Sequence, residues 1–234
     1  TGSAEEDDYT VSNVQYIASI LELSSEAQDE VERDNAGVYN ISTVSWRNYT
    51  ANVDAAVGSA SVLVPARFAS VKSLYCVHRP SANINSRDVR SISDRSKANM
   101  SSYSFRIGSL QLPQQACDCA DPAGQVIQEL MKSFHQIGQT NAHTRLNETQ
   151  FNNDAPTSDS GNTVTDEGSY AVGLDLESFS HRSDVMDSGT DSLGQNIFFE
   201  PVYADNTPAA QRVDSWAHFD MMLKLEDGVM SAHF

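Results

Sequence analysis

The stretch from Val213 to Leu225 alternates between two kinds of side chain. One register is mostly apolar and reads Val213, Ser215, Ala217, Phe219, Met221, Leu223 and Leu225. The other register is mostly polar and holds Asp214, Trp216, His218, Asp220, Met222, Lys224 and Glu226. Because successive side chains of a strand point to opposite faces, this pattern predicts a half-buried β-strand. Asp227 and Gly228 suit a tight reversal, so residues 229–234 can return as a short arm.

The length of this strand restricts the fold. It covers about 13 residues, whereas a typical strand has about 5 to 6. A strand this long predicts a large sheet, and therefore a sandwich in which the terminal strand is central. We expect Phe219, Met221 and Leu223 in its core.

The charge of the chain is strongly negative and unevenly distributed. The 234 residues carry a net charge of −17, which argues against general coating of nucleic acid. Ten acidic residues fall within residues 5–34, whereas residues 67–106 hold eight Lys and Arg. In an acidic protein, such a basic island is expected to meet the acidic surface of a neighbouring subunit.

The cysteines and the hydropathy pattern exclude several classes of protein. Cys76, Cys117 and Cys119 are too few, and odd in number, for a disulfide framework, so we expect free thiols. The longest apolar run is far shorter than 18 residues, and the first twenty residues lack a basic region. We therefore expect neither membrane insertion nor a signal peptide.

Strand patterns recur along the rest of the chain, with two helical patterns between them. The predicted strands are residues 9–23, 38–53, 62–77 with an interruption at Pro65, 103–112 ended by Pro113, a short one near 148–151, 170–179 and 196–203. The predicted helices are residues 25–34, after an N-cap, and residues 121–138. Long polar loops cover residues 79–102 and 141–168, and loops of such length usually have a partner.

The order of these elements favours an all-β protein. Regular βαβ alternation, which would predict a parallel sheet, is missing from the pattern. We predict an antiparallel jelly-roll β-sandwich of the viral capsid type, with two short decorating helices and long loops. An acidic leader or linker at residues 1–8 is expected before a single jelly-roll domain at 9–234.

Four phrases of the sequence resemble a known family. They are Tyr9-Thr-Val-Ser-Asn-Val-Gln-Tyr-Ile-Ala-Ser-Ile-Leu-Glu-Leu-Ser, Val64-Pro-Ala-Arg-Phe-Ala-Ser-Val-Lys-Ser-Leu, Leu174-Asp-Leu-Glu-Ser with Ser188-Gly-Thr-Asp-Ser-Leu-Gly-Gln-Asn-Ile-Phe-Phe-Glu, and Val213-Asp-Ser-Trp-Ala-His-Phe-Asp. In this order they resemble the double jelly-roll major capsid proteins of polinton-like and adintovirus-like double-stranded DNA viruses. The chain is long enough for one jelly roll, and its end resembles the end of the second, C-terminal roll.

The resemblance implies a structural role in a virion. It implies a chain that assembles with itself into homotrimeric capsomers, and capsomers that tile an icosahedral shell assembled inside the host cell. Further partners implied are an N-terminal jelly roll, minor capsid proteins and penton proteins. No specific nucleic acid, cofactor, metal or catalytic residue is implied.

An enzymatic alternative rests on residues 185–190. Val185 and Met186 precede Asp187-Ser-Gly-Thr, which matches the local pattern of aspartic proteases, and Asp159 could supply the second carboxylate that this chemistry needs. However, Asp159 lacks the preceding apolar pair. A turn is the preferred interpretation, and the chain is predicted not to be an enzyme.

Other chemical candidates also have simpler interpretations. Cys117 and Cys119, with His135 nearby, fall short of the four ligands that a zinc site needs. His218 and Asp220 fit a polar ladder on a strand face. Trp46 and Trp216 fit core or interface anchors, although a jelly-roll carbohydrate-binding or lectin-like module is the alternative function.

The basic island supplies the predicted interaction site. We expect Arg79, Arg87, Arg90 and Arg95 to lie in a loop that contacts a neighbouring subunit, in preference to binding the genome.

Overall fold

The computed structural model describes residues 11–84, 95–119, 124–134, 151, 158–159, 162–163, 170–177, 189–226 and 228–234. The helices are α1 (Ser25–Asn35) and α2 (Gly124–Ser133), and residues 81–83 form a 3-10 turn. The strands in these parts of the chain are β1 (Val38–Val53), β2 (Val62–Val64), β3 (Val71–Pro80), β4 (Met100–Ile107), β5 (Leu110–Asp118), β6 (Ser158–Asp159), β7 (Asn162–Thr163), β8 (Val172–Asp175), β9 (Ile197–Tyr203), β10 (Gln211–Glu226) and β11 (Val229–His233).

The strands form two main antiparallel sheets. The first sheet has the order β1-β10-β3-β8, with β11 also paired to β10, and the second has the order β2-β9-β4-β5. The chain crosses repeatedly from one sheet to the other, so neighbours in a sheet are distant in sequence. A five-stranded and a four-stranded antiparallel sheet connected in this way define a jelly roll. The predicted all-β jelly-roll sandwich is confirmed.

The long terminal strand is confirmed as a central strand. β10 pairs with β1 over its whole length, and its other side pairs first with β3 and then with β11. Gly228, with a φ of +76°, lies in the reversal between β10 and β11, where a left-handed conformation favours glycine. Phe219 is buried, but Met221 and Leu223 are half-buried because pairing with β3 stops at Phe219 and the exposed arm β11 replaces it. The core prediction is therefore wrong for the last part of the strand.

The interruption predicted at Pro65 separates two strands that belong to different sheets. β2 pairs with β9 in the second sheet, whereas β3 pairs with β10 in the first. The connection buries Ala66 and Phe68 as it crosses the sandwich. Proline cannot donate a ladder hydrogen bond, and here it stands where the chain leaves a sheet.

Two predicted strands are wrong. The described part of the first, residues 11–23, forms no strand, and its apolar side chains are exposed. The predicted strand at 103–112 is a hairpin, because the chain reverses at Gly108, whose φ is +58°, and returns as β5. Pro113 lies within β5, an edge strand, where its missing N–H interrupts no central ladder.

Both helices are confirmed where the structure describes them. The Ser24 hydroxyl accepts a hydrogen bond from the Ala27 N–H at 3.4 Å, and Ala36 ends α1 in the left-handed region. α2 packs on β8 through Val126 and Leu130. Gly173 makes this approach possible, because a Cβ atom there would overlap the Ser133 hydroxyl. Residues 121–123 and 135–138, the predicted ends of the second helix, lie outside the described residues.

Aromatic side chains fill the space between the two sheets. Tyr103, Phe105 and Phe199 of the second sheet are fully buried, and Phe105 and Phe199 have ring centroids 5.2 Å apart. Phe151, part of the predicted short strand near 148–151, is buried against Tyr170. In the part of the chain that the structure describes, neither helix is long and apolar enough to cross a membrane.

Candidate interaction surface

The first sheet carries an aromatic groove on the face that points away from the second sheet. We call it the outer-face groove, and its volume is about 570 Å³. Its lining residues are Trp46, Tyr75, Val77, Arg79, Arg95, Phe134, Ala171 and Trp216.

Strand register brings the aromatic residues of the groove together. Trp216 of β10 is paired directly with Tyr75 of β3, and His218 of β10 is paired with Trp46 of β1. Because paired residues and residues two apart share a face, all four side chains lie on one face of the sheet. The rings of Trp46 and His218 stack with centroids 4.4 Å apart, and Trp46 lies 5.4 Å from Tyr75.

The end of α2 forms the opposite side of the groove. The Tyr75 hydroxyl donates a hydrogen bond of 2.5 Å to the carbonyl of Ser133, the last residue of the helix. Phe134 follows and stacks on the Tyr75 ring at a centroid distance of 4.7 Å. Phe134 falls within the predicted helix at residues 121–138, and its side chain is 50% exposed. Trp46 is 51% exposed, so two large aromatic residues of the groove are open to solvent.

Two arginines, Arg79 and Arg95, line the groove. Arg79 pairs with the buried carboxylate of Asp214 at 3.2 Å, and Arg212 contacts the same carboxylate at 2.7 Å. The Nε atoms of Arg79 and Arg95 are buried and have no hydrogen-bond partner among the described residues. A buried donor without a partner is costly, so these two N–H groups favour an acceptor beyond those that the described residues supply.

The four predicted interface arginines have different positions. Arg79 lies within β3, so its placement in a loop is wrong: the strand continues to Pro80 because residues 79 and 80 pair with Arg212 and Gln211 of β10. Arg95 stands beside Ser96, which bridges to β3 at His78, and it shares the outer-face groove with Arg79. Arg87 and Arg90 lie outside the described residues.

Part of the basic island is neutralised within the chain. Lys72 pairs with Glu177 at 2.8 Å and with Asp220 at 3.4 Å, and all three side chains are nearly inaccessible. Arg106 pairs with Glu200 at 2.8 Å. Lys72 and Arg106 belong to the basic island, which the sequence analysis assigned to a subunit contact. Both have acidic partners within the chain.

The cysteines belong to the core. Cys76, Cys117 and Cys119 are free and buried, and burial raises the pKa of the Cys119 thiol to about 12. A thiol that resists ionisation is a poor metal ligand and a poor nucleophile. The described residues contain no group of three or more His, Cys, Asp or Glu that could hold a metal ion. His135, the third candidate ligand, lies outside them.

The remaining candidates take part in structural contacts where they are described. His218 stacks on Trp46 and lies 3.4 Å from the Ser73 hydroxyl. Asp220 accepts a hydrogen bond of 2.7 Å from the Ser70 hydroxyl and pairs with Lys72. Asp187, the protease candidate, lies outside the described residues, and Asp159 belongs to the two-residue strand β6.

Solved structures with a similar fold come from large DNA viruses and a virophage. A chain in the 3.5 Å cryo-EM structure of the Sputnik virophage is 13% identical, with a TM-score of 0.49 over 85% of this chain and 39% of that chain. The Faustovirus major capsid protein is 11% identical, with a TM-score of 0.48 over 86% of this chain and 36% of that chain. PBCV-1 VP54, fitted into a Sputnik reconstruction, is 9% identical, with a TM-score of 0.47 over 91% of this chain and 55% of VP54.

The chain is shorter than the proteins it is similar to. It spans between 36% and 55% of the length of these three chains. Neither a protein-family model nor a curated protein sequence matches it.

The sequence analysis missed two aromatic residues of the groove. Tyr75 was assigned to a strand and Phe134 to a helix, and their contact depends on how α2 crosses β8. The available signal was the pair of tryptophans: Trp46 and Trp216 were considered interface anchors, and both line the groove.

Proposed function

We propose that this chain is a structural capsid protein, a major capsid protein or its C-terminal jelly roll, that self-assembles into capsomers of an icosahedral virion. The observation that carries this proposal is the jelly-roll order of the two sheets, which the sequence resemblance predicted. A stiff sandwich suits a shell protein, since its shape must persist while its loops and edges contact neighbours.

Surfaces left open by the fold support self-assembly. β1 is an edge strand of 16 residues whose side chains are mostly exposed, and Arg47 is its one charged residue. Long edges with few charges favour pairing or packing with another chain. The exposed apolar segment at residues 11–23 and the outer-face groove add two more surfaces that a lone chain leaves in water.

The finer features of the proposal follow from the resemblance. They are a homotrimeric capsomer, contacts with an N-terminal jelly roll and with minor capsid and penton proteins, and assembly inside the host cell. The division into an acidic leader at 1–8 and a single domain at 9–234 stays a prediction. So does the absence of enzymatic activity, for which the test is a protease assay on the parent and on Asp187→Asn.

The predicted subunit contact is tested by charge reversal. We expect Arg90→Glu combined with Arg95→Glu to weaken the oligomer in native mass spectrometry while the circular dichroism spectrum stays that of a β-sandwich. The matched control is Arg106→Glu, whose arginine pairs with Glu200 in the other sheet. An oligomer unaffected by the double reversal would contradict the contact.

The outer-face groove also favours a second candidate, a carbohydrate-binding or lectin-like module. Trp46, Tyr75 and Trp216 offer adjacent aromatic surfaces of the kind on which sugar rings can stack. A glycan array separates the two functions, since the lectin function predicts saturable binding that Trp46→Ala abolishes. The capsid function predicts no such binding.

A further inference from the structure

We propose that the outer-face groove binds the apolar leader, residues 11–23, of a neighbouring copy of this chain. The inference rests on the proposed function, because it names the segment and the groove through which capsid subunits would contact each other. It differs from the subunit contact predicted for Arg79, Arg87, Arg90 and Arg95, because it requires the aromatic groove and the leader together.

The leader has the composition of a buried segment but is exposed. Its large apolar side chains are between 55% and 94% accessible: Val11, Val14, Tyr16, Ile17, Ile20, Leu21 and Leu23. Each buried side chain of this size would contribute about 1.5 to 3 kcal/mol. A contiguous apolar segment of this kind marks an interaction site on a soluble protein.

The groove offers complementary chemistry. Its half-exposed Trp46 and Phe134 can cover aliphatic side chains, and its buried Arg79 and Arg95 Nε–H groups favour a carboxylate. The leader supplies aliphatic side chains in Leu21 and Leu23, and it supplies a carboxylate in Glu22 between them. Residues 5–8, directly upstream in the sequence, are all acidic. The leader therefore matches the aromatic groove in polarity, and its Glu22 matches the arginines in charge.

The position of the leader favours binding in trans. Leu21 and Leu23 lie beside α1 and Tyr39, at the beginning of β1. Trp46 lies seven residues further along the same strand than Tyr39, which corresponds to about 23 Å at roughly 3.3 Å per residue. The apolar side chains of the leader are exposed, and none of residues 11–23 lines the groove of its own chain. A leader-to-groove contact between copies is heterologous, and it can repeat from subunit to subunit.

Intrinsic fluorescence reports on the groove directly, because the two tryptophans of the chain both line it. We expect the tryptophan emission of the full chain to shift to shorter wavelength as its concentration rises, since the leader of another copy would exclude water from Trp46. Ile17→Asp with Ile20→Asp should remove the shift. Val229→Asp, which puts a charge on the exposed arm, is the control that should leave it unchanged.

A labelled synthetic peptide of residues 11–23 tests the contact independently. We expect the full chain carrying the Ile17→Asp and Ile20→Asp changes, whose own leader cannot compete, to bind the peptide saturably in fluorescence anisotropy. Arg95→Gln should weaken peptide binding about tenfold, the value of one charge-assisted hydrogen bond. Phe134→Ala should weaken it similarly. Leu63→Ala, an exposed apolar residue on the second sheet, and Arg106→Gln should not change it.

The outcomes separate this inference from the capsid proposal. A shift that does not depend on concentration would show that the leader folds onto its own groove, and would overturn binding in trans. Oligomers that form equally well with the leader variant, together with no peptide binding, would overturn the groove assignment and leave the capsid proposal standing. A monomer at every concentration would overturn both.

Discussion

Phe68 and Phe219 stack face to face, with ring centroids 3.6 Å apart and planes inclined by 6°. Phe68 belongs to the connection that crosses from the second sheet to the first, and Phe219 belongs to the central strand β10. The contact therefore ties a connection to the strand around which the first sheet is built. Both side chains are buried.

We predict that Phe219→Ala lowers the free energy of unfolding by about 3 to 5 kcal/mol, because it leaves a cavity between Phe68 and the sheet. Urea denaturation measures the change. Phe234 contacts both rings edge-on but is 49% exposed, so Phe234→Ala should cost about 1 kcal/mol. Equal losses for the two variants would contradict this description of the core.

Lys72 holds a buried ionic cluster together. Its ammonium group pairs with Glu177 and Asp220, and Asp220 also accepts a hydrogen bond from Ser70. Burial favours a lower pKa for Lys72, but the hydrogen bond to Glu177 and the two carboxylate charges outweigh it and raise the pKa. Lys72→Met keeps the bulk of the side chain while leaving two carboxylates in a buried site. We expect a loss of about 3 to 5 kcal/mol.

The control for Lys72 is a similar pair at the surface. Lys224 pairs with Glu226 at 2.7 Å, but both side chains are at least a third exposed. Lys224→Met should change stability by less than about 1 kcal/mol. Chemical denaturation of both variants tests the difference, and a mild effect of Lys72→Met would mean that the cluster is hydrated.

The sequence predicted strands well where burial imposes a clear period. β10 buries every second residue from Gln211 to Phe219, since that face meets the core, and the strand was predicted. β1 was predicted as well, although Val53 is its one buried residue. The hairpin at Gly108 was missed because the alternation of residues 103–107 was extended beyond Gly108, although Ser109 and Leu110 fall in the opposite registers. The leader was misassigned for a different reason: apolar side chains indicate that a segment needs cover, but not which chain provides it.

The groove was predictable only in part. The sequence analysis recognised four residues of the groove as interface candidates: Arg79, Arg95, Trp46 and Trp216. They form one surface only after the strands of the first sheet and the end of α2 have been placed. The pairing of Tyr75 with Trp216 joins residues far apart in sequence. Local patterns carry no information on such a register, since the alternation of each strand is satisfied by several registers that differ by two residues.

Stability should depend on the protonation of His78. This side chain is fully buried, lies 3.0 Å from the Tyr203 hydroxyl, and burial lowers its pKa to about 4. In the unfolded chain His78 binds a proton near pH 6.5, whereas in the folded chain it does so only near pH 4. The free energy of unfolding therefore falls as the pH drops from 6.5 to 4. Between pH 7.5 and 5 we expect a loss of about 2 kcal/mol from this residue.

The test compares urea denaturation at these two pH values. His78→Gln should show a smaller loss than the parent, and His233→Gln, which alters an exposed residue of β11, should match the parent. If His78→Gln kept the full pH dependence, the loss would have to come from other groups.

Gly173 should be intolerant of a side chain. A Cβ atom at this position would overlap the Ser133 hydroxyl and lie 3.1 Å from Leu130, so α2 would have to move away from β8. We predict that Gly173→Ala costs about 1 to 3 kcal/mol. Thermal denaturation checks the prediction, with Gly194→Ala as the control because a Cβ atom there meets no neighbour within 4 Å. A tolerated Gly173→Ala would contradict the close packing of α2 on the sheet.

The oligomeric state of the chain tests the central claim most directly. Native mass spectrometry across a range of concentrations, followed by negative-stain electron microscopy of the same samples, would measure it. A self-assembling capsid protein predicts oligomers, with trimers prominent, that grow with concentration into regular particles or arrays. A chain that stays monomeric at the highest concentration, with no particles in the micrographs, would contradict the account.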